Sequence, residues 1–262
     1  MTGSLPDFSM FSNIFQYFSE DLSVNRLSGR IPDSSKFPPQ LESLSLKSNT
    51  LEGGVPKSLG STCTLRSLHL SNNSFNEELP LIMQNLSGCA RSSLQELELR
   101  MNQIKGTLPD FSVFSSLKIL SLDVKRLNGK IPKDIRFPTQ LETLKMNLNS
   151  LGGGVPKSLG STCTLRSLHL SNNSFNEELP LIMQNLSGCA RSSLQELELR
   201  MNQIKGTLPD FSVFSSLKIL SLDVKRLNGK IPKDIRFPTQ LETLKMNLNS
   251  LGGVIIGLGK NN

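Results

Sequence analysis

Leucine recurs along this chain in one spacing, L-x-x-L-x-L-x-x-N-x-L-x-G-x-x-P. The first, fourth and sixth positions alternate with polar residues, which predicts a short strand with one buried side. The asparagine that follows ends the strand, because its amide can satisfy backbone groups that a turning chain leaves unpaired. The pattern starts at Leu41, Leu65, Leu94, Leu117, Leu141, Leu165, Leu194, Leu217 and Leu241.

The starts are separated by 24, 29, 23 and 24 residues, and the same four spacings then repeat. A unit of this length cannot bury its own apolar side, so neighbouring units must stack to form a continuous core. We therefore predict a leucine-rich-repeat solenoid of the α/β horseshoe type with about ten repeats. Its parallel β ladder should line the concave face, with irregular or 3-10 turns on the convex face.

A longer repeat is superimposed on the short one, since residues 53–153 are identical to residues 153–253. Stability constrains the leucine, asparagine, glycine and proline positions and leaves most surface positions free, so folding does not demand this identity. A very recent DNA duplication, a faulty gene assembly and deliberate construction would each explain it.

We interpret the chain as a single domain over residues 1–262. Within it we expect an irregular first repeat at 1–40, four repeats at 41–140, four near-identical repeats at 141–240, and a truncated last repeat with a tail at 241–262.

Two places depart from the pattern. Counting back from Asn25 puts Tyr17 and Glu20 at the first two leucine positions of the first repeat, so we expect that repeat to be irregular. Lys125 and Lys225 occupy the asparagine position. Because lysine cannot accept a hydrogen bond, one buried group should lose its partner at a cost of about 1–3 kcal/mol. Drift in a tolerant solenoid is a simpler explanation than a functional kink.

Composition excludes several classes of protein. Apolar residues make up 37% of the 262 residues and charged residues 19%, which is typical of neither a disordered nor a membrane-embedded chain. The net charge is +7, but lysine and arginine are scattered singly, which argues against nucleic acid as partner. No segment reaches the ~18 apolar residues of a membrane span, and the start of the chain does not have the pattern of a signal peptide.

The four cysteines allow three complete pairings. Cys89 and Cys163 lie three repeats apart, or about 14 Å, which exceeds the ~7 Å limit between the α-carbons of a disulfide. The pairs Cys63–Cys89 and Cys163–Cys189 are the bridges expected in an oxidising compartment, and buried free thiols are the alternative. The sequence has no C-x-x-C motif and no Cys/His cluster that would predict zinc.

Four N-x-S triplets are candidate glycosylation sites if the chain enters the secretory route. Their asparagines are Asn72, Asn85, Asn172 and Asn185.

Side chains between the core leucines should point away from the core and form a polar binding surface on the concave face. It mixes acids and bases, which favours a discrete protein or peptide patch as ligand. We expect His69 beside Glu98, which would favour the protonated imidazole. The candidate ligand-binding residues are Ser67, His69, Ser71, Glu96, Glu98, Arg100, Asp123, Lys145, His169, Glu196, Glu198, Arg200, Asp223 and Lys245.

Ser45, His69 and Glu98 share one position on successive strands, in the order of a nucleophile, base and orienting acid. An open sheet offers no oxyanion donors and does not exclude water, and the second copy has Lys145 in place of Ser45. We therefore interpret this row as part of a recognition surface, with no catalytic residues.

The G-x-I-P variant in "LNGKIP" resembles the plant extracellular class of these repeats. The segments "LSGCARSSLQELELRMNQIKGTLPDFSVFSSLKIL" (86–120) and "LETLKMNLNSLGGGVPKSLGSTCTL" (141–165) are similar to the ectodomains of plant leucine-rich-repeat receptor-like proteins, the group that includes xylanase-elicitor receptors. The resemblance covers roughly residues 3–253.

This resemblance implies a non-catalytic module without cofactors, at the extracellular face of the plasma membrane or in the apoplast. It would recognise a protein, peptide or glycan ligand and signal through a co-receptor kinase. The family also has a signal peptide and a membrane anchor, neither of which the sequence predicts here. A secreted polygalacturonase-inhibitor-like protein is an alternative, and a non-functional gene fragment or artificial duplication is another.

Overall fold

The computed structural model of the chain describes residues 2–3, 18–124, 126–224 and 226–253. Its main element is one parallel sheet to which every repeat contributes one short strand. The ten strands are β2 (Phe18–Asp21), β4 (Leu41–Ser45), β6 (Ser67–His69), β8 (Glu96–Glu98), β10 (Ile119–Ser121), β12 (Thr143–Lys145), β14 (Ser167–His169), β16 (Glu196–Glu198), β18 (Ile219–Ser221) and β20 (Thr243–Lys245).

Each strand of this sheet pairs with the strand of the next repeat, and equivalent positions face each other. In the pair β6–β8, for example, Leu68 is opposite Leu97 and His69 is opposite Glu98. The predicted leucine-rich-repeat solenoid, with about ten repeats and a parallel ladder, is confirmed.

A second set of short parallel strands follows the asparagine turns and forms three smaller sheets beside the ladder. These strands are β1 (Thr2–Gly3), β3 (Arg26–Arg30), β5 (Thr50–Gly53), β7 (Ser74–Phe75), β9 (Lys105–Gly106), β11 (Arg126–Lys130), β13 (Ser150–Gly153), β15 (Ser174–Phe175), β17 (Lys205–Gly206), β19 (Arg226–Lys230) and β21 (Ser250–Gly252).

In the described part of the chain, helices occur only in the repeats that start at Leu41 and Leu65 and in their copies at Leu141 and Leu165. The longer ones begin with a leucine and a proline, and proline is well suited to the first helical turn because its missing N–H has no partner to lose there. The helices are α1 (Lys57–Gly60), α2 (Leu79–Leu86), α3 (Lys157–Gly160) and α4 (Leu179–Leu186), with 3-10 turns at Cys89–Ser92 and Cys189–Ser192. In α2, Leu79, Ile82, Met83 and Leu86 are buried whereas Leu81 is exposed, and the same holds for their copies in α4.

The core is a continuous column of leucine side chains between the ladder and the opposite side of the solenoid. The three leucines of one strand unit, such as Leu65, Leu68 and Leu70, are all fully buried. Burying a leucine side chain contributes about 1.5–3 kcal/mol, so stacking of the repeats supplies most of the favourable free energy. Phe75 and Phe111 are also fully buried in this core.

The asparagines form the expected ladder of side-chain hydrogen bonds. The amide nitrogen of Asn73 donates to the carbonyl oxygens of Leu46 at 2.9 Å and Leu70 at 3.1 Å. Its oxygen accepts the N–H of Leu51 at 3.0 Å. One buried side chain therefore satisfies backbone groups of two adjacent repeats. Equivalent bonds are made by Asn49, Asn102, Asn149, Asn173, Asn202 and Asn249.

Lys125 and Lys225, which replace this asparagine, lie outside the described residues, but the residue before each is altered. In other repeats that residue has a positive φ, as in Met101 at 55°. Val124 instead is fully buried and donates its N–H to the carbonyl of Leu122 two residues back, at 2.8 Å. The turn therefore tightens, and its valine packs into the core.

The first repeat departs from the regular ladder. The register between β2 and β4 shifts between Phe18 and Ser19. Glu20 is opposite Leu44, in the position that leucine occupies elsewhere, and is half-buried. Burial, with a smaller contribution from the negative charge of Asp21, raises the pKa of Glu20. Tyr17 lies outside the described residues.

Two disulfides join the turn after the short helix to the 3-10 turn of the next repeat. Cys63 is bonded to Cys89 and Cys163 to Cys189, and each pair of α-carbons is 4.7 Å apart. Each bridge cross-links neighbouring repeats on the side away from the ladder.

Replacing a ladder asparagine should be costly. We expect Asn73→Ala to lower the free energy of unfolding by about 2–3 kcal/mol, because the buried N–H of Leu51 and two buried carbonyls lose their partner. Denaturation in urea measures the change. Asn76→Ala, at an exposed asparagine three residues on, is the matched control and should change stability by less than about 0.5 kcal/mol. Equal effects of the two substitutions would contradict the role of the ladder.

The bridges should be detectable chemically and contribute to stability. Unfolded under non-reducing conditions, the protein should have no thiol that reacts with a thiol reagent, although it contains four cysteines. Replacing Cys63 and Cys89 by serine should lower the free energy of unfolding by about 3 kcal/mol, because a closed loop restricts the unfolded chain. Four reactive thiols in the untreated protein would show that the bridges are absent.

Candidate functional site on the ladder

Outward-pointing side chains of the ten-stranded sheet form a continuous surface, here called the ladder face, which is the predicted concave face. It consists of three rows that run across the strands. The first contains Ser43, Ser67, Glu96, Ile119, Thr143, Ser167, Glu196, Ile219 and Thr243.

The second row contains Ser45, His69, Glu98, Ser121, Lys145, His169, Glu198, Ser221 and Lys245. The third lies two residues further on and contains Lys47, Ser71, Arg100, Asp123, Asn147, Ser171, Arg200, Asp223 and Asn247.

Most of the candidate residues lie on this face and are partly accessible. The exceptions are Ser71 and its copy Ser171, which are 0% and 1% exposed. Assigning Ser71 to ligand contact was therefore wrong. Although it lies in an outward-facing row, its side chain is out of reach of a ligand. Sequence reasoning also missed Ile119, a half-buried apolar residue in the first row.

The histidines bind a different glutamate from the one expected. Nε2 of His69 lies 3.1 Å from Oε2 of Glu96, and Nε2 of His169 lies 2.9 Å from Oε2 of Glu196. Glu98 is directly opposite His69 in the strand register, but the imidazole turns to the glutamate on the diagonal. His69 does lie beside Glu98, as expected, but its side-chain contact is to Glu96, because strand register does not determine the rotamer. Each contact orients two side chains of the surface.

Ser45, His69 and Glu98 do lie side by side on three strands. However, the imidazole of His69 contacts Glu96, and the hydroxyl of Ser45 bonds to the carboxylate of Asp21. The three groups are therefore not connected as a proton relay. Among the described residues, no group of three His, Cys, Asp or Glu side chains is placed to hold a metal ion.

The middle of the ladder face is organised around Asp123. Its Oδ1 accepts the backbone N–H of Asn147 at 2.5 Å. Burial raises the pKa of Asp123, although that hydrogen bond and the positive charges of Lys145, His169 and Arg100 act in the opposite direction. This half-buried carboxylate, surrounded by basic side chains from three other repeats, lies where the two identical segments meet.

Exposed apolar side chains flank the third row. They occupy the position before the ladder asparagine, where φ is 54–61° for Val24, Met101, Leu148, Met201 and Leu248. A positive φ costs a non-glycine residue about 1–2 kcal/mol, and asparagine, found there at Asn72, tolerates it better. Met101 is 55% and Leu148 46% exposed. The edge of the ladder face therefore offers apolar groups next to Arg100 and Asn147.

The two kinds of candidate glycosylation site differ in environment. Asn72 is exposed at the edge of the ladder face. The amide nitrogen of Asn85, to which a glycan would be attached, donates to the carbonyl of Val55 at 2.9 Å, and Asn185 does the same to Val155. A glycan on Asn85 or Asn185 would have to fit beside this hydrogen bond between repeats.

Comparisons with known sequences agree on the type of repeat. The family described as Leucine Rich Repeat matches residues 40–62, 64–86 and 164–186. Receptor-like protein 34 and Receptor-like protein 43 of Arabidopsis thaliana are 32% and 30% identical to this chain over 156 residues. The matched part is 60% of this chain but only 13% and 17% of those proteins, so the chain spans a small part of their length.

Solved structures with the same fold include plant receptor ectodomains. That of the receptor kinase GASSHO1/SCHENGEN3 from Arabidopsis thaliana, in complex with CASPARIAN STRIP INTEGRITY FACTOR 2, matches 97% of this chain and 30% of its own length, with a TM-score of 0.81 and 29% identity. The Arabidopsis receptor kinase HAESA, in complex with the peptide hormone IDA and the co-receptor SERK1, matches 95% of this chain and 44% of its own length, with a TM-score of 0.69 and 27% identity. The resemblance indicated by the sequence motifs is confirmed. No helix in the described part of the chain is long and apolar enough to cross a membrane.

The half-buried carboxylate of Asp123 leads to a prediction of how stability depends on pH. Because the pKa of Asp123 is raised by burial in the folded protein, its ionised form destabilises the fold, and this effect is complete at neutral pH. We expect Asp123→Asn, which can still accept the Asn147 N–H, to raise the free energy of unfolding at pH 7. The gain should shrink as the pH falls through the raised pKa of Asp123 towards the ordinary range of aspartate.

Denaturation at several pH values measures this difference, with Asp223→Asn as the control for the same substitution in the last described repeats. A loss of stability at pH 7 on Asp123→Asn would show that the attraction to Arg100, Lys145 and His169 outweighs burial.

Proposed function

We propose that this chain, a leucine-rich-repeat solenoid similar to plant receptor-like proteins and receptor-kinase ectodomains, is a ligand-recognising part of a plant cell-surface receptor. Its ladder face binds a protein or peptide ligand. The observation that carries this proposal is the ladder face itself. It is a continuous polar surface whose charged groups are held in place by contacts between repeats, with exposed apolar groups at its edge.

The charge pattern supports a protein or peptide over a polyanion. Acids and bases are mixed, with Glu96, Glu98 and Arg100 in one repeat, Asp123 in the next and Lys145 in the one after. A pectin-like polysaccharide or a nucleic acid would be bound better by a uniformly basic stripe. A folded protein or a peptide can present complementary charges of both signs, which favours specificity as well as affinity.

The flanking apolar residues supply a second element of recognition. Met101, Leu148 and Met201 project from strained turns beside the polar rows. Apolar anchors surrounded by polar contacts are the usual arrangement of residues that dominate binding energy at protein interfaces. Methionine also adapts its shape to a partner at little cost. A peptide lying across the strands would place apolar side chains on this edge and charged groups on the ladder face.

The structural neighbours are consistent with this assignment. The HAESA structure contains a peptide hormone and a co-receptor. By analogy we propose an extracellular location and signalling through a partner kinase, neither of which requires catalytic residues in this chain. Glycosylation would then occur at Asn72 and Asn172, at the edge of the ladder face, where the amide of Asn72 donates to the side-chain hydroxyl of Ser48. The amides of Asn85 and Asn185 instead donate to main-chain carbonyls of the preceding repeat.

The role of the ladder face can be tested by charge reversal. The wild-type chain is used to select binders from a random displayed-peptide library. We then expect Glu98→Lys together with Glu198→Lys to weaken binding of the selected peptides by at least about tenfold, since like charges replace complementary ones. Both glutamates must change because the two segments are identical around them.

The matched control is Glu78→Lys with Glu178→Lys, which makes the same change of net charge at exposed residues before α2 and α4, away from the ladder. Circular dichroism should be the same for all three proteins, and the control should bind like the wild type. Selected peptides that bind the Glu98 and Glu198 variant with unchanged affinity would place recognition elsewhere.

A further inference from the structure

A groove of about 500 Å³ opens beside β11 and β13, away from the ladder face. Its apolar floor is formed by Ile131, Val155, Pro156 and Leu181, of which the first three are buried. Cavities of this size are typical of sites for small organic molecules.

Three exposed lysines stand around the groove, namely Lys130, Lys133 and Lys157. Within the described residues, none of them forms an ion pair with a carboxylate. Glu177 is the one acidic residue that lines the groove, and its carboxylate accepts the backbone N–H of Val155 at 3.1 Å. Three positive charges against one negative charge leave the lining with a net charge of +2.

The duplication supplies a comparison within the same chain. Ten of the twelve lining residues have identical counterparts one hundred positions earlier, and only Lys130 and Lys133 are replaced, by Arg30 and Asp33. The earlier lining, with Arg30, Lys57, Asp33 and Glu77, has no net charge. The charge of Asp33 also contributes, after burial, to the raised pKa of Glu77.

The two places differ in shape as well. Arg30 folds over Gly53, so that its Cγ would lie 2.9 Å from a β-carbon placed on that glycine. The corresponding distance from the Cγ of Lys130 to a β-carbon on Gly153 is 3.8 Å. Accordingly, Gly53 is buried whereas Gly153 is only half-buried. The side chain of Arg30 therefore covers Gly53 in the first segment, whereas Lys130 leaves Gly153 more accessible in the second.

We propose that this groove is a second binding site, specific for a small amphipathic carboxylic acid. The carboxylate binds the lysines and the hydrocarbon part lies on the floor of Ile131, Val155, Pro156 and Leu181. Lysine is a strongly hydrated point charge suited to a rim open to water, and burial of the hydrocarbon contributes about 25 cal/mol per Å². The site is separate from the ladder face and does not depend on the function proposed for it.

The probe is octanoate, below its micellar concentration, with binding followed by calorimetry. We expect one saturable site in the wild-type chain. In Lys130→Arg with Lys133→Asp the affinity should fall at least about tenfold, because the attraction is lost and the groove is covered. This variant gives the second groove the residues that the first already has in the same fold, so misfolding is not a concern. Octan-1-ol, which has no charge, should bind the wild type at least about tenfold more weakly than octanoate.

The reciprocal variant, Arg30→Lys with Asp33→Lys, should create a second octanoate site of similar affinity. Glu98→Lys with Glu198→Lys should leave octanoate binding unchanged, which separates this site from the ladder face. The proposal is overturned if the wild type shows no saturable binding up to about 10 mM octanoate. It is also overturned if Lys130→Arg with Lys133→Asp binds octanoate as the wild type does, or if octan-1-ol binds as tightly as octanoate.

Discussion

The structure depends on the buried asparagine that follows each ladder strand. Asn73 binds a carbonyl of its own repeat at Leu70 and both a carbonyl and an N–H of the preceding repeat, at Leu46 and Leu51. A strand here can bury its leucines only against the next repeat, and the asparagine determines how far apart and in what register the two repeats stack. Equivalent outward side chains are therefore brought into straight rows, and the ladder face is a consequence of a bond made inside the core.

The repeat that has Lys125 in place of this asparagine shows how the asparagine bonds affect the residue before them. Before Lys125, Val124 turns into the core, whereas Met101 and Leu148 at the same position point outward. In this same repeat, the side chain of Asp123 accepts a hydrogen bond from the backbone N–H of Asn147, which lies in the next repeat. Burial of this carboxylate is costly and raises its pKa, so the irregular repeat also has a perturbed charge on the ladder face.

Features that follow from the period alone could be predicted from the sequence. The spacing of leucine and asparagine predicted the strands, their register, and the nearness of Cys63 to Cys89. Features that depend on rotamers or on side-chain packing could not. His69 turns to Glu96 although Glu98 is opposite, and Ser71 is buried although it lies in an outward-facing row. The lysine groove depends on two of twelve lining residues and on the path of Arg30 over Gly53, which no repeat pattern encodes.

Identical sequence does not make the two segments identical surfaces, because each strand takes part of its environment from the strand before it. His69 follows Ser45 in its row, whereas His169 follows Lys145, and the side chain of His169 is 15% exposed against 29% for His69. The Asp123 cluster combines groups from both segments, and so does the groove between Lys130 and Leu181. In a solenoid, where each repeat contacts only its neighbours, a junction is the place where exact copies acquire new surroundings. The surfaces that distinguish this protein from a simple array of its repeats are therefore concentrated at residues 123–185, where the first segment ends and the second begins.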